Sequence, residues 1–372
     1  MQQKIKVLHI IKSLGRGGAE MLLPETLKLH DQSKFEFHYI YFLPWKNQLV
    51  QALEAAGGKV ICLPAGNNIS ILFQYRKVIQ YIKSHNIQLV HAHLPWAGFV
   101  SRLVKIFCPI SLIYTEHNKQ ERYHFLTRWL NKNSFNKQDL VLAVSADVAF
   151  SIYTHIKSEV KVEVLHNGVN THFFSREEEE GRRMRKALQI PEDAVVVGLV
   201  AVFRPQKRIP EWIRVFAELA AQHQNLYATI VGDGPMKNDI MEAIQQSAQQ
   251  EKICLVGLQE NTKPYYAAMD IFMMSSEFEG LPVAMLEAMS MQCAIVTTDA
   301  GGIKELIEDK ENGLMLAVDN LPGLGAQLKY LASDADIRKQ LASAARKTVE
   351  EKFSLQKMVG ELEVLYGKTA NV

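Results

Sequence analysis

The sequence predicts an α/β protein made of two doubly wound, Rossmann-like domains in tandem. Three observations carry that expectation: a length of 372 residues, two series of short apolar runs alternating with helical patterns, and a polar interruption between them. Domains mostly hold about 100–200 residues, so two are expected. A hydrophobic share of 48% against 22% charged residues is enough to bury a core in each.

In the first series Val7–Ile11, Phe37–Phe42, Lys59–Leu63, Leu89–His91, Leu112–Thr115 and Leu140–Val144 read as strands. Between them Val78, Ile79 and Ile82, or Phe99, Leu103 and Val104, fall at the spacing of helices laid on a sheet. Repeated βαβ units of this kind give a parallel sheet covered on both faces. The polar stretch from Asn170 to Gly181 is the expected linker. Its Glu177–Glu180 run, followed by Arg182, Arg183, Arg185 and Lys186, reads as a solvated helix start rather than a site. Alternation resumes with Val195–Val202, Tyr227–Val231, Ile253–Leu255, Ile271–Met274, Ala294–Thr297 and Leu314–Ala317, and Trp212, Val215, Phe216 and Leu219 mark an amphipathic helix. Two helices close the chain, Ala335 to about Lys352 and Leu355 to about Tyr366. The expected boundaries are therefore 1–169 and 170–353, with 354–372 as a closing helix. Doubly wound sheets bind ligands at the carboxyl ends of their strands, which places the expected site in a cleft between the domains.

Composition narrows the function classes. No apolar run approaches the roughly 18–20 residues of a membrane span, and the start of the chain reads as a strand carrying lysines rather than as a signal peptide. Cys62, Cys108, Cys254 and Cys293 are dispersed, which argues against a disulfide framework or a structural zinc site and fits a reducing cytoplasm. Net charge is +2, but residues 1–170 hold 20 Lys and Arg against 11 Asp and Glu, while residues 171–372 hold 22 against 29. The basic first half is expected to face something anionic, either lipid headgroups or a phosphate-bearing acceptor. No nucleic-acid module is recognisable, so nucleic acid is not an expected partner. Within Lys119–Lys137, Phe125, Leu126, Trp129 and Leu130 recur at helical spacing beside Arg122, Arg128 and Lys132. That pattern fits a helix lying on an anionic membrane, or a surface helix whose apolar stripe packs inward.

Several motifs sit at predicted strand ends. The first strand runs into Gly15-Arg16-Gly17-Gly18-Ala19-Glu20, a glycine turn that lets amides approach an anion but matches neither G-x-G-x-x-G nor a Walker loop. The strongest constellation is Glu279-Gly280-Leu281-Pro282-Val283 through Glu287, two carboxylates eight positions apart with Pro282 at a helix entrance. One acid then lies above the sheet and the other just over a turn into the helix, with the amides of Gly280–Val283 between them. This suits a nucleotide sugar, which offers hydroxyls at both ends and a diphosphate in the middle. His91 and His93 share one face of a strand, but no third ligand is apparent and no metal is assigned. Asp334-Ala335-Asp336 mimics a D-x-D metal motif but precedes a helix and reads as a cap.

On these residues the chain resembles glycosyltransferase family four, retaining enzymes of the two-domain GT-B fold whose hallmark is the E-x7-E segment, here Glu279 to Glu287. Gly17-Gly18-Ala19-Glu20, Thr115-Glu116-His117-Asn118, His166-Asn167-Gly168-Val169, Gly232-Asp233-Gly234-Pro235, Gly257 and Thr298 to Glu305 are similar to the family's other motifs in order and spacing, and cover nearly the whole chain. The resemblance implies that Glu279 bonds hydroxyls of the donor sugar and Glu287 the ribose. Arg204 and Lys207 would grip the diphosphate, aided by Gly17, Gly18 and the segment Gly280, Leu281, Pro282 and Val283. His117 would touch the sugar near the reaction centre. One departure stands out: the family often places its arginine five residues before the lysine, where this chain has Val202, and Arg204 lies three before. The implied activity is transfer from a UDP- or GDP-sugar to a glycan or lipid-linked acceptor, with retention and without metal or other cofactor. The first domain would take the acceptor and the second the nucleotide sugar, with a hinge near Asn167–Val169 and the last helix, from about Leu355, crossing back onto the first domain. A nucleotide-sugar 2-epimerase and an inactive sugar-nucleotide-binding scaffold remain the alternatives.

Overall fold

A computed structural model of the protein describes residues 4–370. The chain divides into two compact units, with boundaries between Asn167 and Gly168 and between Ser354 and Leu355. The closing helix, Leu355–Ala370, therefore belongs to the same unit as the first half of the chain.

The first unit carries β1 (Ile5–Ile10), β2 (Phe35–Tyr41), β3 (Lys59–Cys62), β4 (Leu89–His93), β5 (Ser111–Glu116), β6 (Leu140–Ala143) and β7 (Val162–Val164). All pair in parallel, in the order β3-β2-β1-β4-β5-β6-β7. The order reverses between β1 and β4, which leaves a crevice at their carboxyl ends. One face packs on Gly18–Leu29 and Leu355–Ala370, where Val7, Leu89, Ile113, Leu23, Leu27 and Leu362 form a buried cluster. Val78, Ile82, Phe99 and Val104 are buried too, as their spacing predicts, while Ile79 and Leu103 are half-buried.

Among the strand readings that change are those of β4 and β7. β4 runs on to His93, because its histidines face the buried side of the sheet instead of ending the strand. β7 is an edge strand of three partly exposed residues, too short to leave an alternation in the sequence.

In the second unit β8 (Val195–Val200), β9 (Leu226–Val231), β10 (Ile253–Gly257), β11 (Ile271–Met274), β12 (Ala294–Thr298) and β13 (Leu314–Leu316) are again all parallel. Their order, β10-β9-β8-β11-β12-β13, repeats the first unit's pattern and reverses between β8 and β11. Trp212 and Phe216 are fully buried, and the indole donates to the Met273 carbonyl at 2.8 Å, so its one polar atom is satisfied in the core.

The expected linker is no free tether. The Arg346 guanidinium donates to the carbonyls of Thr171, Phe174 and Ser290, and Arg176 donates to that of Met269. These bonds fix residues 171–176 on the second unit before the helix Glu178–Ala187 begins, with Glu178, Glu179 and Glu180 in its first turn, where acids favour the helix dipole. Asp334 caps the helix Ala335–Lys352 by accepting from the amides of Asp336 and Ile337.

The turn after β9 shows a glycine required by geometry. Gly232 adopts φ +143°, and a Cβ there would lie 1.9 Å from the Ala201 carbonyl oxygen. We expect Gly232→Ala to destabilise the second unit by about 2 kcal/mol or more, read as a lower urea midpoint in an unfolding curve; an unchanged midpoint contradicts the close approach described here.

Candidate active site

The sequence-predicted residues of the second unit converge on the crevice between β8 and β11. Beyond β8 the chain is pinned by the Gly232–Pro235 turn: Phe203 donates its amide to the Asp233 carbonyl at 2.9 Å, and Met236 donates back to Phe203 at 3.2 Å. A single tight turn, Pro205–Lys207, follows. Lys207 Nζ lies 2.5 Å from Glu279 Oε1, which also accepts from Ser276 Oγ at 2.6 Å. The two side chains are only 15% and 12% exposed, so this ion pair is largely withdrawn from water. Removing one partner of such a pair leaves the other's charge poorly solvated.

The loop after β11 is laced to its neighbours. Glu277 donates its amide to the Gln206 carbonyl at 2.8 Å, Ser275 Oγ donates to that of Lys207 at 2.9 Å, and Thr298 Oγ1 donates to that of Ser276 at 2.6 Å. Arg208, which sequence reasoning missed, adopts φ +48° and donates to the carbonyls of Ser275, Ser276 and Val318. It is a tether, and nothing but a run of basic residues marks it in the sequence. Arg204 is exposed and forms no ion pair among the described residues.

Glu279 and Glu287 sit on either side of the entrance to the helix Val283–Ser290, for which Pro282 is the N-cap. Helix geometry leaves the amides of Val283 and Ala284 without an intrahelical acceptor, while Met285 and Leu286 donate to the Pro282 carbonyl. Gly280 and Leu281 precede that entrance, with Leu281 buried. Glu287 Oε2 accepts from the buried phenol of Tyr266 at 2.8 Å, a second partner unseen in the sequence. Burial, and then the neighbouring Glu287, push the Tyr266 phenol well above its ordinary pKa, so it stays a hydrogen-bond donor.

In the first unit Gly17 caps the helix Gly18–Leu29. A Cβ on Gly17 would lie 2.4 Å from Glu20 Oε2, so the acid closest to this helix entrance is the chain's own. His117 follows β5, and its Nε2 is buried without a hydrogen-bond partner. Burial lowers its pKa to about 4, which keeps the ring neutral at physiological pH.

The segment holding His117 is organised by Glu116. This fully buried carboxylate accepts from the amides of His117 and Asn118, the phenols of Tyr114 and Tyr123, and Gln120 Nε2. Gln120 in turn accepts from Asn131, and Asn131 accepts from the buried Arg102 guanidinium. Burial raises the Glu116 pKa, and the bonds from Tyr123 and Tyr114 oppose it.

His9, His91 and His93 line the buried side of the same sheet end, and burial lowers all three pKa values, to about 3 for His91; repulsion from His91 adds to it at His9 and His93, and repulsion from His117 and His30 adds to it at His91. The sequence pairs His91 with His93; the structure adds His9 from β1.

Known proteins are similar to this chain over most of its length. The family model described as Glycosyltransferase Family 4 matches residues 16–173, and that described as Glycosyl transferases group 1 matches residues 181–348. The N-acetylgalactosamine-N,N'-diacetylbacillosaminyl-diphospho-undecaprenol 4-alpha-N-acetylgalactosaminyltransferase of Campylobacter jejuni is 26% identical, over 90% of this chain and 92% of its own. The UDP-Gal:alpha-D-GlcNAc-diphosphoundecaprenol alpha-1,3-galactosyltransferase of Escherichia coli is 22% identical, over 98% and 97%. The N-acetyl-alpha-D-glucosaminyl L-malate synthase of Bacillus anthracis is 25% identical, but the match spans only 62% of this chain and 60% of that enzyme. Among solved structures, Anabaena HepE in complex with UDP and glucose superposes with a TM-score of 0.86 at 20% identity, over 98% of this chain and 100% of that one. With the two GT-B sheets described above and family models spanning nearly its whole length, the chain belongs to glycosyltransferase family four.

Proposed function

We propose that this glycosyltransferase moves a sugar from a UDP- or GDP-linked donor to a glycan or lipid-linked acceptor in cell-surface polysaccharide assembly, with retention at the anomeric carbon. The observation that carries the reading is the Lys207–Glu279 pair beside the entrance of the helix Val283–Ser290. A cation, unpaired helix amides and an acid stand together at the carboxyl edge, where a nucleotide diphosphate and its sugar need them. In this reading the diphosphate takes over Lys207, with Arg204 reaching it from the same turn, and Glu279 passes from the lysine to sugar hydroxyls. Glu287, held by Tyr266, accepts from the ribose. Gly17, Gly18 and His117 are the first unit's proposed contributions, the histidine as a neutral group at the sugar.

Departure of the diphosphate is helped by charge stabilisation from Lys207 and the amides. The departing phosphate oxygen can itself take the acceptor's proton on the same face, so no separate base and no metal are assigned to the chemistry. The Campylobacter and E. coli relatives are named for diphospho-undecaprenol acceptors, which supports a lipid-linked one here. The relatives named above are transferases and a synthase, and none favours the epimerase or scaffold reading.

The setting we propose is the cytoplasmic surface of an anionic membrane. Among the described residues no helix is long and apolar enough to cross one. On the helix Phe125–Ser134, however, Phe125 and Trp129 are 68% and 60% exposed, so the apolar stripe points outward beside the exposed Arg128 and Lys132. Outward aromatics flanked by cations suit the headgroup region of an anionic bilayer.

Glu279→Ala should cut turnover by about a hundredfold or more while UDP still binds; undiminished turnover with a matched UDP-sugar removes Glu279 from the chemistry. Lys207→Ala should weaken UDP binding about tenfold or more in titration calorimetry, and an unaltered dissociation constant contradicts its assignment. Turnover should be the same with magnesium and manganese omitted as with them added. Replacing Arg122, Arg128 and Lys132 together by glutamine should abolish flotation with phosphatidylglycerol vesicles; equal flotation eliminates the membrane proposal.

A further inference from the structure

The crevice between β1 and β4 gathers more imidazole than a sheet end needs. His9 of β1 stands opposite His91 of β4 in the register, and His93 follows on the same face two residues later. His9 Nδ1 and His93 Nε2 are 3.0 Å apart, and the His91 and His93 ring centroids 4.1 Å. One ring nitrogen from each of the three lies within 4.8 Å of the other two. All three residues are buried, at 2%, 2% and 6% exposure.

Hydrogen bonding accounts for this cluster only in part. His91 bonds the Tyr366 hydroxyl at 2.7 Å and Thr115 Oγ1 at 2.7 Å, so one imidazole is fully served. His9 and His93 face each other across a single proton, and the other nitrogen of His9 lies 3.3 Å from Tyr366 Oη. Beside them is a cavity of about 30 Å³ whose polar lining includes the three histidines, Thr115 and His117 and whose other walls are mostly apolar. That is room for a water molecule, and the buried Nε2 of His117 has no partner. The position of His93 is also imposed by the backbone: Leu94, directly after it, takes φ +68°, a costly conformation for leucine.

We propose that His9, His91 and His93 bind a divalent transition-metal ion of the zinc class, with a water in the cavity as fourth ligand. Zinc–imidazole bonds of about 2.0–2.1 Å in a tetrahedron put neighbouring nitrogens roughly 3.4 Å apart, close to the His9–His93 separation. An all-nitrogen set disfavours magnesium and calcium, which take oxygen ligands. Coordination moves the proton between His9 and His93 to the far nitrogen of its own ring, which for His9 faces the Tyr366 hydroxyl. His91 keeps one of its hydroxyl partners as the outer-shell group that orients a metal-bound imidazole and exchanges the other for the ion. If the retained partner is Tyr366, the ion ties the helix Leu355–Ala370 to the sheet of the first unit. The site is structural, lies wholly within that unit, and does not depend on the reading of the second unit's residues as a sugar-nucleotide site.

The test uses the full chain, stripped with a chelator and titrated with cobalt(II) as a spectroscopic stand-in for zinc. One equivalent should bind with the intense visible absorption of tetrahedral cobalt, zinc should displace it, and the melting temperature should rise on zinc addition. His9→Asn and His93→Asn should each weaken cobalt binding at least about tenfold, with circular dichroism matching that of stripped wild-type protein. No stoichiometric binding by the wild type overturns the proposal, whatever the variants do, and so does undiminished binding in both variants. UDP affinity, measured on the same stripped and refilled samples, should not change. An absence of UDP binding would count against the sugar-nucleotide reading alone.

Discussion

Everything chemical in this molecule is confined by the covering of its parallel sheets. Strands buried on both faces have no room for solvated charge along their length, so polar side chains collect at the strand ends. In both units the strand order reverses once, between β1 and β4 and between β8 and β11, and helices leave in opposite directions from that point. The reversal opens a crevice at the carboxyl edge. Lys207 and Glu279 follow the two strands that flank it in the second unit, and His9, His91 and His93 belong to the two that flank it in the first.

Placing groups at an edge does not hold them still, and each unit solves that differently. The second unit laces loop to loop: carbonyls of residues 275 and 276 receive the Arg208 guanidinium, and the Thr298 hydroxyl bonds residue 276 as well. Because these bonds use backbone atoms, the shape of the loop is insensitive to the side chains it presents. The first unit instead buries its polar groups and satisfies them through side chains, with five hydrogen bonds converging on Glu116. A buried carboxylate with so many donors fixes the amides of residues 117 and 118, and through them the start of the His117 side chain.

The sequence makes legible what depends on local pattern and hides what depends on strand order. β11 is read in place because four apolar residues lie between Asp270 and Ser275, and the burial of Trp212 and Phe216 follows from their spacing. The bond between Lys207 and Glu279 joins residues 72 apart and exists only because β8 and β11 are neighbours. The sequence gives those residues separate tasks. The strand reading stops at His91, short of His93, because imidazole is polar, whereas the neighbours of His93 across the sheet make it interior. The Asn170–Gly181 stretch reads as a linker for the same reason, although an arginine 175 residues further along bonds the Thr171 carbonyl. The stripe on Phe125–Ser134 has the period of an inward-packing helix, and only its exposure shows that it faces out.

The departure at Val202 acquires a physical meaning from this geometry. Val202 is half-buried between Ala201 and Phe203, the two residues against whose backbone the Gly232–Pro235 turn is packed, so the path of the chain through this position is set by the turn. Arg204 lies past that position and is exposed, while Arg208 is committed to three carbonyls. Lys207 is left as the cation withdrawn from water at the crevice, and without ligand its charge is met by Glu279. In the proposed function a diphosphate must therefore compete with a carboxylate for the same ammonium. The exchange is favourable only if Glu279 gains hydrogen-bond donors of its own as it lets go. Sugar hydroxyls provide those donors and free water, in so confined a place, provides them less well. In that proposed function the pairing of one lysine with one glutamate couples recognition of the phosphate to recognition of the sugar, and ties grip on the leaving group to the presence of the group being transferred.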